Sequence, residues 1–115
     1  MKILVCGGRN FNDVELLNTT LDNLRIERGL VKVLIHGASR GADTLADDWA
    51  NEHDVDVISV PADWRKYGRA AGPMRNAKML EYNPDLVVAF PGGKGTRSMI
   101  KLAEAAGIEV IEVDE

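Results

Sequence analysis

Short apolar runs recur along this chain, each followed by a stretch with helical spacing, and that alternation is the pattern of a parallel sheet covered by helices on both faces. The runs span residues 3–6, 31–36, 55–60, 86–90 and 109–113. They are brief and rich in β-branched side chains, as strands buried on both faces are. Between them, residues 13–28 place Val14, Leu17, Leu21 and Leu24 on one helical stripe, and residues 42–53 do the same with Leu45, Ala46 and Trp49. Residues 72–82 carry Met74, Met79 and Leu80, and residues 96–106 carry Met99, Ile100, Ala103 and Ala106. With right-handed crossovers this predicts one doubly wound α/β domain with a five-stranded parallel sheet in the order 3-2-1-4-5. In that order the winding reverses between the first and fourth strands, which opens a crevice at their carboxyl ends. The longest stretch without periodicity, residues 61–71, reads as a loop of the kind that carries function.

A chain of 115 residues with 45% apolar and 28% charged side chains supports one core, and the expectation is a single domain over residues 1–115. Cys6 is the sole cysteine, so an internal disulfide framework and a multi-cysteine zinc site are excluded, and a reducing, cytoplasmic home is expected. The apolar start of the chain meets glycine too soon for a signal peptide or a membrane span, so no membrane partner is expected. A net charge of −4 argues against unspecific nucleic-acid binding. The charge is segregated, however. Between Trp64 and Leu80 stand Arg65, Lys66, Arg69, Arg75 and Lys78 with no acid, whereas Asp47, Asp48, Glu52, Asp54 and Asp56 precede them. A local anion site in an acidic protein fits that distribution.

The segments after the first, second and fourth strands are all glycine-rich: Gly7-Gly8-Arg9-Asn10, His36-Gly37-Ala38-Ser39-Arg40-Gly41-Ala42-Asp43, and Pro91-Gly92-Gly93-Lys94-Gly95-Thr96. Glycine lets a backbone approach a ligand closely, and free amides at a helix N-terminus bind phosphate. Each loop alone is explained by tight turning; three together, each with a nearby Arg or Lys, point to an anion site. Neither the G-x-G-x-x-G fingerprint nor G-x-x-x-x-G-K-[ST] is present, which removes standard dinucleotide dehydrogenases and P-loop NTPases.

The 91–96 segment resembles the P-G-G-x-G-T motif of the SLOG superfamily, whose best-known enzymes are cytokinin-activating nucleoside monophosphate phosphoribohydrolases. Further matches run through Gly7-Gly8-Arg9, His36-Gly37, Gly41-Ala42-Asp43, Asp63-Trp64, Ala71-Gly72-Pro73, Arg75 and Asn76. Nearly the whole chain is thus similar to the YpsA-related branch of that superfamily. The resemblance implies a Rossmann-like domain that binds a nucleotide or nucleotide-derived ligand, such as a nucleoside phosphate or an ADP-ribose-like molecule. It also implies a homo-oligomer paired through helices beside the site. The enzymes' motif continues to a glutamate that helps expel the base, and Met99 holds that position here. A thioether can neither transfer a proton nor stabilise a cation by charge. Arg75 is the candidate match to an arginine that the enzymes carry ahead of the glycine motif.

The expected ligand-binding set is Gly7, Gly8, Arg9, Gly37, Ser39, Gly41, Asp43, Trp64, Arg75, Asn76, Pro91, Gly92, Gly93, Lys94, Gly95 and Thr96. Arg75 and Asn76 read as opening a helix, one gripping phosphate and the other fixing ribose or base. Trp64, with Tyr67 among cations, suits stacking on a base, and Thr96 suits capping the last helix. Asp43 reads first as a helix-start carboxylate, with ribose binding or general-base work as the alternative. Asp43 and Arg75 are the candidate catalytic residues. His36 reads as bonding a backbone group, while Trp49 and Cys6 read as core. No metal site is expected; the single cofactor consistent with the pattern is a Mg²⁺ carried in by a ligand's phosphate. A nucleotide-binding sensor or sequestering protein is the leading expectation. Its rivals are a hydrolase cleaving an N-glycosidic or phosphate bond and a DNA-processing accessory protein.

Overall fold

The computed structural model describes residues 1–114. Strands β1 (Lys2–Cys6), β2 (Val33–His36), β3 (Asp56–Ser59), β4 (Leu86–Ala89) and β5 (Glu109–Glu112) form one sheet in the order β3-β2-β1-β4-β5, and every pairing is parallel. Helices α1 (Val14–Arg28), α2 (Ala42–Glu52), α3 (Trp64–Tyr67), α4 (Ala71–Leu80) and α5 (Lys94–Ala105) connect them. The expected topology is the one observed.

Period-two alternation along the central strands explains the two layers. Ile3, Val5, Leu34, Leu86 and Val88 face Leu17, Leu21 and Leu24 of α1 and Ala46 and Trp49 of α2. Leu4, Cys6, Ile35, Val87 and Ala89 face Met79 of α4 and Met99 and Ala103 of α5. Trp49, fully buried, donates its indole N–H to Asp22 at 2.9 Å and so ties α2 to α1. α1 starts at Asp13, whose carboxylate accepts the Leu16 amide at 3.0 Å, and stops at Gly29, whose φ of 96° ends the helical path.

Four local expectations are corrected. β2 begins at Val33, because the Lys32 amide bonds the Met1 carbonyl outside the ladder. β3 and β5 are edge strands with exposed ends, not strands buried on both faces. Met74 points outward from α4 and is 45% exposed. Residues 61–71 hold α3 and a 3-10 turn (Gly68–Ala70), because Asp63 caps α3 by accepting the Lys66 amide at 3.1 Å. Among the described residues no helix is long and apolar enough to cross a membrane.

Candidate functional site

At the carboxyl ends of β1, β2 and β4 lies a cleft of about 560 Å³, within the range of small-molecule sites. Thirteen of the sixteen expected residues line it: Gly7, Gly8, Arg9, Gly37, Ser39, Asp43, Trp64, Arg75, Asn76, Gly93, Lys94, Gly95 and Thr96. Gly41, Pro91 and Gly92 do not. Pro91 and Gly92 face a second depression with Arg97, Glu112 and Asp114.

The glycines divide by what surrounds them. A Cβ on Gly7 would stand 2.6 Å from the Ala42 Cβ, and one on Gly92 would stand 2.7 Å from the Gly8 amide nitrogen. A Cβ on Gly41, at φ +81°, would run into the Gly8 and Arg9 carbonyls. These glycines let the three loops pack on one another. The Gly8 amide donates to the Pro91 carbonyl at 2.9 Å, and the Gly8 carbonyl accepts the Ala42 amide at 3.2 Å. Gly93 and Gly95 have nothing within 4 Å of an added Cβ, so their backbone is open to the cleft.

That difference separates two helix starts. The first amide of α2 is occupied by Gly8. α5 starts at Lys94 after Gly93, with no side-chain cap and no acid in its first turn; its first closed bond runs from the Arg97 amide to the Gly93 carbonyl. The Lys94, Gly95 and Thr96 amides thus have no protein acceptor among the described residues, and they carry the positive end of the helix dipole. Thr96 sits inside the helix rather than capping it.

Arg75 and Asn76 lie within α4, one turn past its start, which corrects their expected place at the helix opening. Half-buried Arg75 donates from Nη1 to the Gly37 carbonyl at 2.6 Å and from Nε to the Asn76 amide oxygen at 3.0 Å. Asn76 donates onward to the Gly95 carbonyl at 3.3 Å, so the pair bridges the loop after β2 to the start of α5. Burial lowers the Arg75 pKa, while Asp43 opposes that shift.

Asp43 does not cap α2; Gly41 holds the cap position. Its Oδ2 reaches back to accept the Gly37 amide at 3.0 Å and the Ser39 amide at 3.2 Å. The Gly37 residue is therefore clamped on both sides, its N–H by Asp43 and its carbonyl by Arg75. Burial pushes the Asp43 carboxyl up, and the Ser39 and Gly37 amides and the Arg75 charge oppose that shift. His36 accepts the Ala38 amide on Nδ1 at 3.0 Å and meets Asp47 through Nε2 at 2.9 Å, so it fixes the same loop, where Ala38 adopts φ +59°. Trp64 is 47% exposed at the mouth, with the Arg9 guanidinium 5.5 Å from its ring centroid. Gly72 is the residue against which its ring rests.

The cleft also includes Val5, Cys6, Arg69, Gly72, Pro73, Met79 and Ser98, beyond the expected set. Arg69 belongs to the acid-free basic run, and Ser98 falls one helical turn after Lys94, so both carried a readable signal. The others supply wall through packing. Cys6 is buried, and that burial pushes its thiol up to about 12. Arg9, Arg69, Arg75 and Lys94 face a single lining carboxylate, Asp43. Among the described residues no three His, Cys, Asp or Glu side chains gather as a metal ion would require.

Comparison with known proteins places this geometry in context. Residues 1–67 match the model of a family described as YspA, cpYpsA-related SLOG. The Gene 61 protein of Mycobacterium phage D29 is 37% identical over 119 aligned residues, which cover 96% of this chain and 94% of that protein. The X-ray structure of DNA processing protein A (DprA) from Streptococcus pneumoniae superposes with a TM-score of 0.76 at 17% identity. That superposition covers 99% of this chain and 50% of the other, and at this identity it shows a shared fold.

Proposed function

The chain belongs to the YspA, cpYpsA-related SLOG family, and from that premise and the cleft we propose that it binds a nucleotide or nucleotide-derived ligand, as a cytoplasmic sensor or sequestering protein. The observation that carries this reading is the convergence of four cations and the unpartnered first-turn amides of α5 on one cleft in an acidic protein. Such a site favours an anion with several oxygens, and phosphate is the anion that helix starts and guanidinium groups hold best. Trp64 at the mouth offers a face on which a base stacks. A nucleoside phosphate or an ADP-ribose-like molecule satisfies both ends.

The test is incubation of purified protein with pooled nucleotides, cyclic nucleotides and ADP-ribose derivatives, with mass spectrometry of the bound and free fractions. Recovery of a phosphorylated nucleoside from the protein, lost in Arg75→Ala, is the expected result. No retained compound from the whole pool would overturn it. A second reading, binding of a nucleic-acid strand, is favoured by exposed Arg65, Lys66 and Lys78 in the acid-free basic run and by the likeness to a DNA-processing protein. Retention of a single-stranded oligonucleotide at physiological salt, with mononucleotides failing to compete, would support that reading over the first.

A further inference from the structure

We infer that Asp43 is the group that selects a ribose-bearing ligand, through its second carboxylate oxygen; this rests on the cleft being a nucleotide site. Oδ2 is committed to the Gly37 and Ser39 amides. Oδ1 has no hydrogen-bond partner among the described residues, although the residue is only 7% exposed. Among the described residues no fully buried side-chain oxygen or nitrogen lacks a partner, so Oδ1 is reached from the cleft that Asp43 lines. It is the one carboxylate oxygen open to a cleft whose other charged lining groups, among the described residues, are all cations.

The surroundings limit what Oδ1 accepts from. Arg9, Arg69, Arg75 and Lys94 line the same cleft and disfavour a metal cation there. The carboxylate repels a phosphate, which is drawn instead to the open amides at the start of α5. A neutral donor remains. Asp43 is deeply buried whereas Trp64 is at the mouth. With phosphate held by α5 and a base on Trp64, the part of a nucleotide left to meet Asp43 is the sugar, and its donors are the ribose hydroxyls. A site built to accept from a hydroxyl discriminates strongly against the analogue lacking it, because its buried acceptor is then stranded.

The experiment titrates the protein with AMP, GMP, CMP and UMP and with their 2′-deoxy and 3′-deoxy counterparts, by calorimetry. At least one ribonucleotide should bind about tenfold or more tightly than one of its deoxy counterparts. In Asp43→Asn the amide oxygen can still accept from Gly37 and Ser39 while an NH2 replaces Oδ1. That variant should bind ribo and deoxy forms within about twofold of each other. Equal binding of ribo and deoxy forms by the wild-type protein overturns the assignment without touching the nucleotide reading, and needs no variant to fold. Discrimination that persists in Asp43→Asn, or that Asp43→Asn relaxes between bases instead of sugars, overturns it as well. Failure of every nucleotide to bind overturns both readings.

Discussion

Alanine at positions 92 and 95 should move stability in opposite directions, although both glycines belong to one motif. A Cβ on Gly92 would overlap the Thr96 hydroxyl and stand 2.7 Å from the Gly8 amide nitrogen and 3.0 Å from the Gly7 carbonyl carbon. Two of these neighbours are backbone, so relief requires the loops after β1 and β4 to part at the Gly8 to Pro91 hydrogen bond. Overpacking a closed junction costs about 1–3 kcal/mol, and loss of that bond adds about 1 kcal/mol, for a total of about 2–4 kcal/mol. For a domain of this size that lowers Tm by roughly 8–16 °C. Gly95 is a helical residue with nothing within 4 Å of an added Cβ. Alanine there stabilises by up to about 1 kcal/mol and raises Tm by a few degrees. Its methyl group would project into the cleft beside the free amides, so ligand affinity should fall even as Tm rises. Thermal melts by circular dichroism, paired with titration calorimetry, read both effects. Gly92→Ala melting with the wild type would refute the closed-junction argument. Gly95→Ala binding ligand at wild-type affinity would refute close approach of ligand to that backbone.

Arg75→Ala should weaken binding of a phosphorylated ligand by about 10–100-fold, as expected for loss of a charge-assisted contact, and Arg75→Lys should recover little because lysine lacks the planar fork; calorimetry checks both, and full recovery in the lysine variant would count against a bidentate role. The Asp43 carboxyl titrates higher in the folded chain than in the unfolded one, so the folded state holds more protons between those two values. Its contribution to stability is therefore most favourable below the unfolded value and declines as pH rises through the folded value. Relative to Asp43→Asn, the wild-type protein should lose stability as pH rises from the ordinary carboxylate value through the higher folded one, measured by denaturant titration at each pH; a flat difference would contradict the burial argument. Cys6, with its thiol pushed up to about 12, should resist iodoacetamide in the native protein at mildly alkaline pH and react fully in guanidinium, as read by intact mass. Rapid native labelling would mean the cleft floor opens.

The sheet was legible because β1, β2 and β4 are buried on both faces and read as unbroken apolar runs; the edge strands were legible in place but not in burial. Asp56, Ser59, Glu109 and Glu112 fall at strand ends that only one neighbouring strand covers. α3 escaped notice because four residues cannot display a helical period, and its one local sign was the capping Asp63. The gathering of glycines and cations at one cleft followed from their placement in the sequence, but the sequence could not separate glycines that meet solvent from glycines that meet other loops. Gly41 and Gly92 read like Gly93 and Gly95 for that reason, and the space around each added Cβ divides them. Asp43 read as a capping carboxylate because its position at a helix start favours that role. The turn at Ala38, whose positive φ no motif announces, brings the Gly37 and Ser39 amides back to it instead.

The position of Met99 bears on whether such a cleft can cleave what it binds. Met99 is fully buried in the apolar layer that includes Cys6 and Met79, the two residues of that layer that also line the cleft. A carboxylate in that seat would join the buried layer of Leu4, Val87 and Ala103, at a cost of several kcal/mol unless it were paired or stayed protonated. Methionine makes that position ordinary core. Among the described residues Asp43 is the carboxylate that lines the cleft, and so the acid–base candidate for any hydrolysis there. Its Oδ2 is fixed by two amides, and its Oδ1 cannot both hold a ribose hydroxyl and shuttle a proton to a leaving base. If Asp43 selects a ribose as proposed, cleaving that sugar's glycosidic bond would make a competing demand on the same oxygen, so a variant that gains hydrolysis should lose discrimination between ribo and deoxy forms.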